Sequence, residues 1–523
     1  MNDLPNTVKV DPDTHPSPRS AEDEPKAGGP LNRAFILRVL VLSAFTLTVA
    51  VVLTHRPWDR PERGDEAIWD YVAQSIVRGQ APYRDVVEIK SPLSAYLSAA
   101  AIAIGRVAGV KDVLAVRLLN VLMVGLVSVF TFLVASTYLR SILAASIAFL
   151  IPLAPWHFAE WMVTGTEPKL PMIMFGLISL LLISRERPFW AGFFSMLSCL
   201  CWQPGLLFTG VAVLVFSNYL TRWRDGSAMK VLIGALVPLL VLVLYFYSIG
   251  VLRDFWTWTV EYNLRVYAPE TAKGLSETVA HLWRVCTRVL KWDLVLLGLS
   301  FAGLMWFVVE RIKATVAEDH AVESPYRYAD AIAVAPVIYL VFCAINFQSG
   351  PDLIPLFPFM GIFGGWLAVQ LGRVRLGRGF FRRLPETALV VLVGLIVFRI
   401  AQAADSDLTL QDQEREFAKI SKLLEPGDRI YVHGALEILV LLNKPNLNPY
   451  IYLDRGKDEW IGRRNPGGFR AILEEMESSS PKVVAISRIG KVVHRAELRN
   501  WVEEHYDRIA VPGYDGVYLR RQP

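Results

Sequence analysis

Two adjacent carboxylates, Asp65 and Glu66, open the stretch "GDEAIWDYVAQSIVRGQAPYRDVVEIKSP" at residues 64–92, which goes on to supply Arg84, Asp85, Glu88 and Lys90. Acids and bases gathered this closely can take a proton from a hydroxyl and neutralise an anionic leaving group. From Asp65 to Arg78 the apolar residues Ile68, Trp69, Val72, Ala73, Ile76 and Val77 recur at three- and four-residue spacing. That period predicts an amphipathic helix lying on a membrane surface, with Asp70, Gln74, Ser75 and Arg78 on its other faces and Gly79 closing it. Asp65 and Glu66 then occupy the first turn, where unpaired backbone N–H groups and the positive end of the helix dipole favour the ionised form that a general base needs. The plainer reading, two acids capping a helix in a wet loop, is equally compatible with the spacing. A second interfacial helix is expected to start at Pro92.

Such a loop must be held by something, and composition says what. The chain has 523 residues, 53% of them hydrophobic and 20% charged, with a mean hydropathy of +0.36. That is too apolar for a soluble enzyme of this length. The net charge of +5 is spread along the chain, so no nucleic-acid partner is implied. Cys199, Cys201, Cys286 and Cys343 lack CxxC or zinc-ligand spacing and read as buried thiols.

Residues 1–33, rich in Pro, Asp, Glu, Ser and Lys, are expected to be a disordered cytoplasmic tail, with no signal-peptide pattern. Apolar runs of about the length that crosses a bilayer recur from residue 34. They fall at 34–54, 112–139, 141–157, 167–184, 189–202, 204–220, 228–250, 292–310, 329–347, 355–371 and 386–403, about eleven spans. Alternate short loops are basic, from Arg140 through Arg185, Arg187, Arg222, Arg224, Lys230, Arg311 and Lys313 to the Arg-rich "GRVRLGRGFFRR". Lys and Arg stay on the cytoplasmic side, which puts the amino terminus inside and the 55–111 loop, the 251–291 loop and residues 404–523 outside.

After residue 403 helical and strand-like patterns alternate: "EREFAKISKLLEPGDRIYVHG", "ALEILVLLN", "PYIYL", "FRAILEEMES", "KVVAISR" and "RAELRNWVEEHY". They predict a small extracytoplasmic α/β domain with a parallel sheet, ending in the hairpin "RIAVPGYDGVYLRR". No GxGxxG or P-loop is present, so no nucleotide is assigned to it.

With the spans in place, "DEAIWDYVAQSIVRGQAPYRD" followed by "KSP", the run "TGTEPKLP" at 164–171 and "WQPGLL" together resemble the polytopic GT-C glycosyltransferases, which include protein O-mannosyltransferases and the lipid A aminoarabinose transferase. The resemblance covers most of 34–403, taken as the transmembrane catalytic domain, and bacterial members also carry an α/β domain after the last span. Two departures stand out: Lys90, Ser91 and Pro92 where relatives often have "KPP", and "SGPDLIPLFP" with Asp352 where a His-Tyr pair is common. The resemblance implies an α-helical polytopic enzyme that moves a sugar from a polyprenyl-phosphate donor to a glycan, lipid or protein hydroxyl at the outer membrane face, with inversion.

In that chemistry Asp65 is the candidate base and Glu66 its understudy, because a hydroxyl attacks only as its proton leaves. The phosphate leaving group calls for positive charge from Arg84, Lys90 or a divalent cation, with Lys169 as a further candidate or as a residue snorkelling to the interface. Asp85 and Glu167 complete the candidate substrate-binding set, and Asp65, Asp85, Glu160 and Glu167 are the oxygen ligands available to a hard cation, although scattered acids make no metal motif. Gln203 and Pro204 read as a turn between two helices. Phe255, Trp256, Trp258, Tyr262, Tyr267 and Trp283 fit either an aromatic belt at headgroup depth or contacts to sugar and prenyl chain. The alternatives are a secondary transporter or lipid flippase, which would keep ionisable groups and broken helices at mid-depth, and a non-catalytic receptor that binds a ligand on its outer domain.

Overall fold

A computed structural model describes residues 30–218, 226–317, 328–373, 383–402, 408–511, 514 and 516–521. Most of the expected tail and the centre of the Arg-rich 372–383 stretch therefore lie outside the described residues. Val41–Pro523 forms one compact unit; of the separate unit Met1–Leu40, the described part is the start of helix α1 (Pro30–Leu53).

A helix covers most of each of the eleven anticipated spans. Six are long and apolar enough to cross a membrane: Ala34–Leu53, Asp112–Leu139, Ser227–Ser248, Lys291–Lys313, Gly350–Arg373 and Leu384–Ala401. Ile142–Leu153, Lys169–Ser184, Pro188–Cys201, Gln203–Phe216 and Ala331–Asn346 are shorter, so length alone supports six crossings where eleven were expected. Leu236, Val241, Leu244, Val390 and Val391 point outward from the bundle, the surface that hydrocarbon would cover. These are the features of a multi-pass membrane protein. Glycines let its helices touch: a Cβ on Gly192 would collide with the Val231 carbonyl, and one on Gly234 with that of Phe189. All four cysteines are free.

The first loop folds as helices α2 (Gly64–Val77) and α3 (Leu93–Val107), followed by the long α4 (Asp112–Leu139). Asp65 and Glu66 do occupy the first turn of α2. Gly79, at φ +83°, ends the helix, with its N–H on Ile76 O and the Gln80 N–H on Ser75 O, both at 3.0 Å. The surface-lying amphipathic helix is not what forms. Ala67, Trp69, Asp70, Tyr71, Val72, Ala73, Gln74 and Ser75 are all buried, so α2 is covered on its polar faces too. One side packs on α3 and α4 through Ala73, Ala99, Ile102 and Val116. The other side shares a core with the C-terminal domain, where Ala67, Tyr71 and Val72 meet Ile430, Leu436 and Leu439. Several of the covered polar groups find distant partners: Gln74 Nε2 donates to Asp112 Oδ2 at 2.9 Å and Val440 O at 3.1 Å, and Tyr71 Oη accepts the Asn446 N–H at 2.7 Å, while Gln74 Oε1 and Asp70 Oδ2 have no hydrogen-bond partner among the described residues.

The C-terminal domain is α/β, but its sheet is mixed where a parallel one was expected. Strands β1 (Ile430–His433), β2 (Val483–Ile486), β3 (Tyr506–Arg508) and β4 (Val517–Arg520) lie in the order β1-β2-β4-β3. Only β1 and β2 run parallel, in register Ile430↔Val483 to His433↔Ile486; β4 is antiparallel to β2 and β3, which puts the closing hairpin at the edge. "PYIYL" forms no strand. Its Pro449 has no N–H to give, Tyr450 N turns to Asn448 Oδ1 at 3.1 Å, and Leu453 N goes to His433 Nε2 at 2.8 Å. An unanticipated helix, Lys457–Arg464, follows it.

Candidate active site

Between α2, the 251–291 segment and the C-terminal domain lies a cleft of roughly 670 Å³. Asp65, Trp69, Glu88 and Lys90 line its first-loop wall, and Tyr267 one end. The C-terminal domain provides the opposite wall with His433, Tyr452, Asp454, Arg455 and Arg488. Asp65 projects into this space, its side chain 66% exposed and its Oδ1 3.6 Å from an Arg488 nitrogen.

The turn that carries Lys90 is held at several points. Ile89 N and Lys90 N both donate to Glu88 Oε1, at 2.8 and 3.1 Å. The Ile89 carbonyl accepts from Gln203 Nε2 at 3.0 Å and Asn263 Nδ2 at 2.7 Å, and the Lys90 carbonyl from Tyr83 Oη at 2.8 Å. Gln203, read from sequence as part of a turn, therefore also positions this lysine. The Lys90 ammonium lies 3.9 Å from the Trp69 ring centre, and Lys169 5.9 Å from the same ring. Burial, then the charge of Lys169, hold the Lys90 ammonium below its ordinary pKa, while Asp65, Glu88 and Glu167 pull it back up. Two cations around one aromatic ring make a place where an anion is stabilised. Lys169 is buried and already paired, 3.0 Å from Glu167 and 3.6 Å from Asp352, so snorkelling to the interface is not its position.

Glu66 does not line the cleft. Its Oε1 accepts the Thr164 hydroxyl at 3.1 Å, and burial pushes its carboxyl up to about 7. Behind it stands a buried network that the sequence did not announce. Arg117 of α4, fully buried, pairs with Glu62 at 2.9 Å and donates to Pro57 O, Arg60 O and Thr164 O. Asp70 Oδ1 accepts both Thr166 N, at 3.1 Å, and Thr166 Oγ1, at 2.5 Å, and Asn120 Nδ2 bonds the Gly165 carbonyl. Burial raises the carboxyl of Glu62 well above its ordinary value and that of Asp70 to about 6, with Arg117 opposing both. The network clamps the 164–167 turn onto α2 and so fixes the direction of the first turn.

Other expected site residues lie elsewhere. Arg84 turns to Asp85 at 3.0 Å, and Asp85 Oδ2 accepts the Ala81 N–H at 2.8 Å, so this pair ties its own turn and does not line the cleft. Glu160 pairs with His157 at 2.9 Å, a contact that holds its carboxyl below the ordinary range. Asp65, Asp85, Glu160 and Glu167 thus each face a different partner. Among the described residues no three His, Cys, Asp or Glu side chains converge on a metal site.

Most of the missed residues belong to the C-terminal domain. His433 lines the cleft, yet its two ring nitrogens are taken by Ser487 O and Leu453 N, and burial lowers its pKa to about 4, which makes it a neutral structural group. Lys457 is fully buried with its ammonium 3.0 Å from the Tyr452 ring centre, and burial drives its pKa well down despite the attraction of Glu88. The 251–291 aromatics divide: Trp258 and Tyr262 are core, Trp256 and Trp283 are exposed, and Tyr267 reaches the cleft. One sequence signal was available, since "YLDRG" puts an arginine directly before a glycine and "ISRIG" puts one two residues before a glycine, each after an apolar run.

The folded chain can be compared with solved structures. Over 94% of its length and 98% of theirs it superposes on the aminoarabinose transferase ArnT of Cupriavidus metallidurans, bound to undecaprenyl phosphate (TM-score 0.61, 11% identity) and in the apo state (0.60, 13%). The chain has the GT-C fold. The archaeal oligosaccharyltransferase AglB of Archaeoglobus fulgidus, in complex with an inhibitory peptide and a dolichol-phosphate, shares the GT-C fold over 93% of this chain and 74% of its own (TM-score 0.54, 12% identity). A second structure of the Archaeoglobus fulgidus oligosaccharyltransferase, in complex with Zn and sulfate, superposes at a TM-score of 0.52 with 12% identity over 91% of this chain and 73% of its own. No protein-family model matches the sequence. No curated protein sequence matches it either.

Proposed function

We propose that this chain is an integral membrane glycosyltransferase that moves a sugar from a polyprenyl-phosphate donor to an acceptor hydroxyl, with its cleft on the extracytoplasmic side. The observation that carries the reading is the placement, on one wall of a cleft at the end of an apolar helix bundle, of an exposed carboxylate at Asp65 and an ammonium at Lys90. The likeness to a structure bound to undecaprenyl phosphate supports a lipid-phosphate donor.

Asp65 takes the acceptor's proton as its oxygen attacks the anomeric carbon. The bond from that carbon to the phosphate oxygen breaks on the opposite face, so the configuration inverts, and the leaving polyprenyl phosphate carries away the electron pair. Lys90, backed by Lys169, stabilises the charge that develops there. An ammonium whose pKa burial has lowered gains most from an arriving phosphate, because the anion restores what desolvation removed. Glu66 is not assigned the proton transfer, because a base must first be within reach of the proton and Glu66 is turned to Thr164.

The test is incubation of membranes containing the protein with labelled polyprenyl-phosphate hexoses and pentoses, followed by identification of the fraction that gains label. Label must appear with the intact chain and be lost in Asp65→Asn; label that persists in Asp65→Asn refutes the assignment.

A further inference from the structure

The wall of the cleft opposite Asp65 has no part in the transfer chemistry just described. In open α/β sheets, ligands bind beyond the carboxyl ends of parallel strands. The parallel pair β1 and β2 ends at His433 and Ile486, and the residues just beyond, Gly434 and Arg488, line this cleft. The sheet is thus oriented with its ligand-binding edge toward the reacting groups.

Two arginines stand on that edge in an unusual way. Arg488 has φ +57° and Arg455 φ +61°, in the left-handed region that L-residues avoid at a cost of roughly 1–3 kcal/mol. The backbone is held beside Arg488, where the Ser487 N–H binds His433 O at 2.8 Å, and at Arg455 itself, whose carbonyl accepts Tyr262 Oη at 2.6 Å. Their side chains remain underused. The ion pair of Arg488 with Asp65 is long, at 3.6 Å, as is that of Arg455 with Asp454, at 3.9 Å. Among the described residues Arg455 makes one side-chain hydrogen bond, to Gln348 at 3.1 Å, and Arg488 none. A guanidinium offers five donors in a planar fork suited to phosphate or carboxylate. Trp69, Tyr267 and Tyr452 line the same space with rings on which a sugar face can rest.

With the donor phosphate drawn to Lys90 on the first-loop wall, the acceptor comes against the C-terminal wall. We infer that the acceptor is an anionic saccharide, its phosphate or carboxylate gripped by Arg455 and Arg488 while its hydroxyl meets Asp65. This rests on the glycosyltransferase reading above. Docking the anion draws Arg488 off Asp65 and leaves that carboxylate to take the proton, so acceptor binding readies the base.

The experiment is calorimetric titration of the purified full-length protein in nanodiscs with glucose, glucose 6-phosphate and glucuronate. The two anionic sugars are expected to bind at least tenfold more tightly than glucose, and whichever is tighter identifies the anion. Arg455→Gln/Arg488→Gln must abolish the preference and Arg488→Lys retain part of it. Arg470→Gln, the loss of one charge at an exposed arginine outside the cleft, must leave it unchanged. Equal binding of all three sugars, or a preference that survives in the double glutamine variant or falls equally in Arg470→Gln, overturns the inference. Undecaprenyl phosphate is titrated in parallel against the wild type and Lys90→Gln. If the wild type does not bind it, the donor reading fails separately from the sugar result.

Discussion

Asp65→Asn separates chemistry from folding more cleanly than any other change in this protein. The substitution keeps the shape of the side chain and removes its charge. Its structural cost is one partly solvated ion pair to Arg488 at 3.6 Å, worth below about 1 kcal/mol. Its catalytic cost is the whole contribution of a general base, about 10² to 10⁴ in rate, or roughly 3–5 kcal/mol of barrier. Initial rates measured in nanodiscs with labelled polyprenyl-phosphate sugar should show kcat falling by that factor, KM for the donor within about threefold, and an unchanged melting temperature. Glu66→Gln, which preserves the contact with Thr164, should lose less than about tenfold. The opposite result, Asp65→Asn within tenfold of wild type and Glu66→Gln down a hundredfold, refutes the geometric argument and makes Glu66 the base.

Glu66 also sets a pH dependence of stability. Its folded pKa of about 7 lies above the ordinary 4.5, so the folded state binds the extra proton, and that stability is complete below pH 4.5 and lost as pH rises through 7. The melting temperature of Glu66→Gln relative to wild type should therefore rise between pH 5 and pH 8, and a flat difference would contradict the burial assigned to this carboxyl. Lys90→Gln should weaken undecaprenyl phosphate binding by about 10- to 100-fold, the worth of one charge-assisted contact, as read by titration. Arg117→Met strands the buried Glu62 and should cost about 3–5 kcal/mol of stability, part of it recovered in the double variant with Glu62→Gln; full additivity of the two changes would show that the pair does not interact. Gly165→Ala brings a methyl to 2.6 Å from Glu66 Cβ and should destabilise by about 1–3 kcal/mol, measured by thermal unfolding.

The membrane part of the fold was readable because apolar run length is a local property: each of the eleven runs is helical, and the first turn of α2 holds Asp65 and Glu66 as the capping argument required. The burial of α2 was not readable. A period of three and four residues reports one apolar face, but the polar face of α2 is covered by residues some 370 positions later, with Gln74 bonded to Val440 and Tyr71 to Asn446. For the same reason the first-loop half of the cleft was found and the C-terminal half was not: Arg455 and Arg488 carry no signature beyond a glycine one or two residues on, and their placement depends on which end of the sheet faces the bundle. Arg84 and Asp85 show that adjacency in sequence does not place charges in the cleft, since these two pair with each other at 3.0 Å and do not line it.

The shared core between α2 and the C-terminal domain sets a schedule for the protein's own synthesis. Trp69 and Lys90 leave the ribosome early, but the wall that faces them is made from residues beyond 430, and the last strand of that sheet ends at Arg520. The cleft is closed only once residue 488 has been made. A nascent chain halfway into the bilayer therefore holds Asp65 without the opposite wall of the cleft, and a product truncated before β1 lacks that wall however well its helices insert.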